Sequence, residues 1–313
     1  MARRLLNQLL VAVPTLFVVA TLSFLLVRLV PGDPANYILG RNATAEQIAA
    51  LHTDLGLDRP ALTQYLSWLG GALHGDLGTS YVTGLTVGQA VQIAFAPTIS
   101  LAVLSTLIAL VLGLVIGGWI AVRGGRWDTA VQALAGIGLA IPSFWLAALL
   151  VLLFALKLAI FPATGYTPIN ESPWLWFVGL ILPATAIGIN NFCQVVMQTR
   201  ASVLDVLSRD FVRTLQATGL PRRRIIYRHV LRNAAIPVVT VTGLAFIFTL
   251  SGVVVIEAIF NTPGMGNLLL TSVQSHDLPV VQGVVLLFAV LVIGVNFVSD
   301  LVAAWLDPRI RLS

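Results

Sequence analysis

The scarce reactive side chains of this 313-residue chain limit its chemistry: one cysteine (Cys193), four histidines (His52, His74, His229, His276) and one lysine (Lys157). A single cysteine excludes a disulfide framework and a cysteine-based zinc cluster. The histidines are far apart and form no HExxH pair, so no metal site is expected. A P-loop requires Gly-Lys, yet Lys157 follows Leu156, so the chain carries no Walker-type nucleotide site of its own. GxSxG and GxGxxG fingerprints are also missing. His74, Asp76 and Ser80 are the one nearby set that could support hydrolysis, and three close polar residues in a loop usually make only a turn.

Uncharged polar residues are more suggestive. Asn190, Gln194 and Gln198 recur at i, i+4 and i+8, which places them on one helical face, with Asn191 beside them. Interhelical hydrogen bonds in membranes average only about 0.6 kcal/mol. Four amides within nine residues exceed what packing needs and fit the wet wall of a pathway. Pro142, in IPSFW, frees a backbone carbonyl and can kink a helix, with Ser143 as a local hydrogen-bond partner. Both are expected to join that wall.

The elements that hold these residues follow from composition. Hydrophobic residues make up 58% of the chain, charged residues 10%, and the mean hydropathy is +0.93. Soluble domains carry roughly 25% charged residues, and disordered chains have little apolar surface, so both classes are excluded. Six apolar runs contain no charge: 5–27, 77–122, 129–156, 172–199, 233–256 and 278–299. Each can supply the roughly 20 residues that span a bilayer core. The expectation is an all-α membrane protein with six transmembrane helices, near 8–29, 99–122, 131–156, 176–197, 237–257 and 281–303. A seventh run, 258–276, contains NTPGMGN and TSVQSH and is expected to be a loop.

The basic residues orient these spans. Arg3 and Arg4, Arg123 and Arg126, eight arginines between 200 and 232, and Arg309 and Arg311 fall on one side; Arg28, Arg41, Arg59 and Lys157 fall on the other. The positive-inside rule then puts both termini in the cytoplasm. Topology and contact with lipid headgroups account for the net charge of +5, so no nucleic-acid partner is expected. The first apolar run exceeds the 7–15 residues of a signal-peptide core and leads into Arg28 and PGDPA, not an A-x-A site, so it is expected to be retained. Acidic residues are few, and Glu257 and Asp300 lie near span ends, which argues against a proton relay in mid-membrane. Energy for any work must come from another subunit or a downhill gradient.

Two segments between spans look soluble. In the external one, 31–98, Thr44 and Gln47 have capping-box spacing, Gly56 is a stop, and a second short helix can begin at Pro60. These helices either cover span ends or offer a docking surface. In the internal one, 198–236, residues 202–218 set Val203, Leu207, Phe211, Leu215 and Ala217 near one helical stripe, after which Gly219 ends the helix and Pro221 can begin the next.

That internal segment carries a family resemblance. Asp210-Phe-Val-Arg-Thr-Leu-Gln-Ala-Thr-Gly219, followed by Arg228-His229-Val230-Leu231-Arg232-Asn233 and Ile236-Pro237, resembles the cytoplasmic "EAA" coupling loop of ABC importer permeases. LVPGDPA at 29–35, LGLDRP at 55–60, GDLGTS at 75–80, IPSFW at 141–145, FPATGY at 161–166, EAIFNTPGMGNLL at 257–269 and DPRIR at 307–311 extend the resemblance over nearly the whole chain, to the B-type permeases of the dipeptide/oligopeptide/nickel importers. Arg213-Thr214-Leu215 stands where the general motif has Glu-Ala-Ala, Thr218 where lysine is usual, and Arg232 where a proline is usual.

The resemblance implies a type I ABC importer permease fold with a large first extracytoplasmic loop. It implies residues 1–98 as first helix plus loop, and 99–313 as a five-helix core with the coupling loop at 198–236. Implied partners are a second, C-type permease, two ABC ATPases, an extracytoplasmic solute-binding protein, membrane lipid and a peptide substrate. No cofactor is expected on this chain, ATP and Mg belonging to the ATPases. The place is the plasma membrane of a prokaryote. Asp210, Arg213, Thr214, Ala217, Gly219, Arg222, Arg223 and Arg224 would couple to the ATPases; Asn190, Asn191, Gln194, Gln198, Pro142 and Ser143 would line the pathway. The alternative is a multi-span membrane enzyme or assembly factor acting through the external loop.

Overall fold

Apolar runs that fill a bilayer must satisfy their backbone hydrogen bonds internally. The computed structural model, which describes residues 2–40 and 42–306, does this with helices, and no strand occurs among the described residues. In chain order they are α1 (Ala2–Leu29), α2 (Pro34–Leu39), α3 (Ala45–Asp54), α4 (Ala61–Leu73), α5 (Val87–Arg123), α6 (Gly125–Ala140), α7 (Ser143–Leu150), α8 (Pro173–Ser208), α9 (Asp210–Ala217), α10 (Arg222–Arg224), α11 (Leu231–Phe260), α12 (Met265–Gln274) and α13 (Leu278–Leu306). A π-helical stretch, Val151–Lys157, continues α7, and another, Ile225–Val230, joins α10 to α11. Arg41, Arg309, Arg311 and the DPRIR tail lie outside the described residues.

Among the described residues, five stretches are long and apolar enough to cross a membrane: Leu10–Leu29, Val87–Arg123, Pro173–Ser208, Arg222–Phe260 and Leu278–Val302. A sixth exists only if α6 and the Ser143–Lys157 helix count together, and these two meet at 97°. The span expected at 131–156 is therefore a broken pair. Ile141 (ψ 123) and Pro142 (ψ 133) are both extended. Proline's ring disfavours the helical region for the residue before it and its missing N–H cannot rejoin the ladder; here Ile141 turns extended, so the helix ends and a new one starts at Ser143.

Other boundaries move for local reasons. The second span starts at Val87, not near 99, because Thr86 and Gln89 exchange capping bonds: Gln89 N–H donates to Thr86 Oγ1 at 3.3 Å and Thr86 N–H to Gln89 Oε1 at 3.1 Å. The expected capping box at Thr44 and Gln47 starts α3, and Gly56, at φ +68, follows its end. The run 258–276 is not all loop, since α12 occupies its second half. The helix drawn through 202–218 breaks at Arg209, whose ψ of 145 separates α8 from α9.

Contacts within the chain group it into two units. One joins the chain up to Thr98 with Asn261–Ile293; the other joins Ile99–Phe260 with the chain from Gly294. In the first, Val87, Val91, Ala94, Met265, Val280 and Val284 form an apolar core. Buried Asp277 accepts bonds from Ser80 Oγ (2.5 Å) and the Tyr81 N–H (3.1 Å). Burial raises the Tyr81 phenol above its ordinary pKa, the Asp277 charge adds to this, and Arg28 opposes it.

In the second unit, α8 packs against α6, α7 and α11, and α5 meets it through glycines. A Cβ on Gly113 would sit 2.5 Å from Val195 Cγ1, and one on Gly117 would sit 2.6 Å from the Val196 carbonyl oxygen. The GxxxG pair is thus a close-approach surface. Gly117→Ala must displace backbone, at a cost of about 1–3 kcal/mol, and should lower the melting temperature in detergent. Gly136→Ala, with nothing within 4 Å of the added methyl, should not lower it.

Candidate pathway wall and docking helix

Two sets of residues on the second unit carry the functional expectations. The first is the polar face of α8. Asn190, Asn191 and Gln194 line a cavity of about 250 Å³ together with Ser143, at the start of α7, and Thr249 of α11. Gln194 and Gln198 continue into a cavity of about 480 Å³ with Gln132 and Arg200. Gln198 also borders a third, of about 270 Å³. The i, i+4, i+8 amides therefore face successive cavities along one helix.

Their hydrogen bonding separates them. Asn191 is buried, and its Nδ2 donates to Thr249 Oγ1 at 2.5 Å, tying α8 to α11. Gln198 Nε2 donates to Ser202 Oγ at 3.0 Å. Asn190 Oδ1 is buried and accepts no hydrogen bond among the described residues. Asn190 thus keeps acceptor capacity for a guest. Pro142 does not line any of these cavities; its part is the break that delivers Ser143 to the wall.

A charged pair went unnoticed in the sequence. Arg200 Nε and Nη2 clasp the two carboxylate oxygens of Asp128, the Nη2 bond being 2.6 Å, and Gln132 Nε2 donates to Asp128 Oδ1 at 3.1 Å. The pair joins α6 to α8. No short motif spans 72 residues; the one hint was an aspartate and an arginine bordering separate charge-free runs.

The second set surrounds α9. Asp210, Arg213, Thr214 and Ala217 stand at i, i+3, i+4 and i+7, a single helical face, and all four are exposed, the Asp210 and Arg213 side chains 96% and 77% so. The opposite side is anchored. Val212 joins a buried cluster with Val203 and Val206 of α8 and Ile225, Val230 and Ala234 of the following segment, with Leu215 and Leu220 packed against it. This revises the expected apolar stripe. Val203 is buried as anticipated, but Phe211 and Ala217 are exposed and Val212 takes the inward position. The Arg209 break rotates α9 relative to α8, so helical spacing counted across it fails.

Gly219 has φ +76 and ends this element, with its N–H donating to the Gln216 carbonyl at 3.0 Å. A Cβ there would meet nothing within 4 Å, so glycine is required by backbone conformation, not by space. Pro221 precedes Arg222, Arg223 and Arg224, of which Arg223 lies over the Tyr227 ring at 5.8 Å.

The hydrolytic alternative has no geometry behind it. His74 Nδ1 bonds its own helix at the Gly70 carbonyl (2.8 Å), Asp76 caps the Gly78 N–H (2.9 Å), and Ser80 is held by Asp277. The three residues serve three different turns.

Several long apolar helices, with a few polar cavities beside α8, make a multi-span membrane protein. Residues 109–312 match the family of binding-protein-dependent transport system inner membrane components, and residues 1–102 match the N-terminal model for such membrane components. A glutathione transport system permease protein from Pectobacterium atrosepticum is 41% identical over 306 residues, 97% of each chain. One from Salmonella choleraesuis is 40% identical over 312 residues, 99% of each. A Brucella abortus protein named for a peptide transport system permease is 40% identical over 301 residues, 96% of each. The chain belongs to the binding-protein-dependent transport family, as a permease of its dipeptide/oligopeptide branch. It is a permease subunit of an ABC importer and not a catalytic enzyme.

If Val212 is the anchor of α9, Val212→Asp should free the helix and raise amide hydrogen exchange over residues 210–217. Phe211→Ser, at an exposed site, should leave that protection intact.

Proposed function

We propose that this permease carries di- and oligopeptides across the plasma membrane of a prokaryote, as half of a heterodimer with a C-type permease. Two ABC ATPases would supply the power and an extracytoplasmic solute-binding protein the cargo. No cofactor is needed on this chain; ATP and Mg act on the ATPases. The names of its relatives, for peptides and for glutathione, itself a tripeptide, support this cargo class.

The proposed topology is the type I permease fold: six spans, the α6–α7 pair forming one of them, with both termini in the cytoplasm. The arginine asymmetry supports this orientation. Residues 1–98 would supply the first span and the extracytoplasmic loop, and 99–313 the five-helix core. Segment 198–236 would then face the ATPases.

The observation that carries the reading is the two-sided character of α9. One face is exposed and polar, with Asp210, Arg213, Thr214 and Ala217 available to a partner groove; the other is locked by Val212 into the end of α8 and the start of α11. Arg222, Arg223 and Arg224 flank that groove contact. When the ATPases close, α9 moves as a handle. α8 and α11 follow it, and the wall of Asn190, Asn191, Gln194, Gln198 and Ser143 alternates between the two sides. Inverting a 1:99 population needs about 5.5 kcal/mol, a scale that ATP binding can supply and peptide contacts alone do not.

Gly219 tests the handle. Asparagine tolerates the left-handed region, whereas a β-branched residue is strained there by about 1–2 kcal/mol. Gly219→Val should leave the protein in the membrane and ATP hydrolysis running while peptide uptake falls. Gly219→Asn should keep both. Normal uptake by Gly219→Val in proteoliposomes would remove the coupling role.

A further inference from the structure

We propose that the Asp128–Arg200 pair holds the α8 cavity wall electrically neutral, so that this chain passes cargo without sorting it by charge. The inference rests on the assignment of α8 as a pathway wall for peptides, and deepens it.

Charge placement around the cavities is the starting point. Arg200 is the one charged side chain lining the cavity of about 480 Å³; the other polar groups there are the amides Gln132, Gln194 and Gln198. The cavity of about 250 Å³ above it is lined by no charged residue. The third, of about 270 Å³, has Asp205 and Arg209, which pair with each other at 2.7 Å. Each charge bordering the three cavities is thus offset by a neighbour of opposite sign.

The Arg200 pair is built for this. Its guanidinium meets both carboxylate oxygens of Asp128 in the fork geometry that binds most strongly, and Gln132 holds the carboxylate from the cavity side. The side chains are 24% and 17% exposed, so a bare charge here would act on cargo with little water between. Peptides vary in side-chain charge while their backbones do not. A wall of amides donates to and accepts from any of them, provided no net charge stands among the amides.

The test is uptake by the full importer in proteoliposomes, with its binding protein saturated, of three matched tripeptides: Ala-Ala-Ala, Ala-Glu-Ala and Ala-Lys-Ala. Asp128→Asn leaves Arg200 uncompensated and should raise the glutamate-to-lysine uptake ratio by about tenfold, the scale of one unit charge a few ångströms from cargo in a half-wet site. Arg200→Gln should shift the ratio the other way, and the charge swap Asp128→Arg with Arg200→Asp should return it to that of the unmodified chain. Equal losses for all three peptides in both single variants would mean a purely structural tie between α6 and α8 and would overturn the proposal. If the single variants do not assemble, Gln132→Glu adds a negative charge to the same wall with the pair intact and must favour the lysine peptide; an unchanged ratio overturns the proposal equally. Failure of the unmodified importer to take up any of the three would instead overturn the peptide assignment on which it rests.

Discussion

The second unit depends on α8 being one unbroken rod. Its 36 residues, Pro173–Ser208, give a length of about 54 Å, well beyond a hydrocarbon core of about 30 Å. Pro183 lies inside it without breaking it. That continuity is enforced from outside. The backbone of α5 lies against it through Gly113 and Gly117, Asn191 bonds Thr249 of α11, and Arg200 clasps Asp128 of α6. The same rod carries the amides in its middle and ends one residue before α9. A close-packed helix transmits displacement instead of absorbing it, so a push on α9 has no slack to cross before it reaches the amide face.

The break at Arg209 gives this arrangement direction. A helix continuing straight on from α8 would be an extension of the rod; a turn followed by eight helical residues makes a separate foot with its own inward and outward faces. The inward face is apolar and shared with both neighbouring segments, which fixes it. The outward face is held only by exposed pairs such as Asp210–Arg213 at 3.6 Å. Exposed pairs of this kind are worth about 0–1 kcal/mol, so a partner can exchange them for its own contacts at little cost. Strong attachment to the chain and weak commitment of the outer charges are what a handle requires.

Much of this was legible in the sequence because it is local chemistry. The apolar runs gave the helices, Thr44 and Gln47 gave a cap, and Gly219 followed by Pro221 gave the end of α9. The motifs from Asp210 to Gly219 and from Arg228 to Asn233 resemble those of the importer permeases by sequence alone. What escaped detection depends on single backbone angles or distant partners. Pro142 suggested a kink, but whether the helix bends or breaks depends on Ile141 also turning extended. The stripe through 202–218 assumed one helical phase, and one extended residue at Arg209 shifted it, exchanging Phe211 for Val212. The start of α5 depends on Thr86 and Gln89, a cap inside a charge-free run whose apolar pattern placed the boundary near 99. Asp128 and Arg200 meet only after α6 and α8 have packed.

Power and selection have different physical requirements. Binding ATP needs a phosphate cradle, and no Gly-Lys pair exists to make one. Selecting cargo needs a site that treats guests differently: an uncompensated charge, a tight apolar pocket, or a buried polar group that only one ligand satisfies. In the three cavities that border α8 the charges are paired, and the amides can donate and accept. Asn190 Oδ1 is buried on this face and accepts no hydrogen bond among the described residues, so a donor such as a peptide backbone N–H could meet it. If this face is the pathway wall, such furnishing would lower the cost of passage for a whole class of guests and distinguish poorly within it. On that reading, discrimination within the class would have to be made before cargo reaches α8.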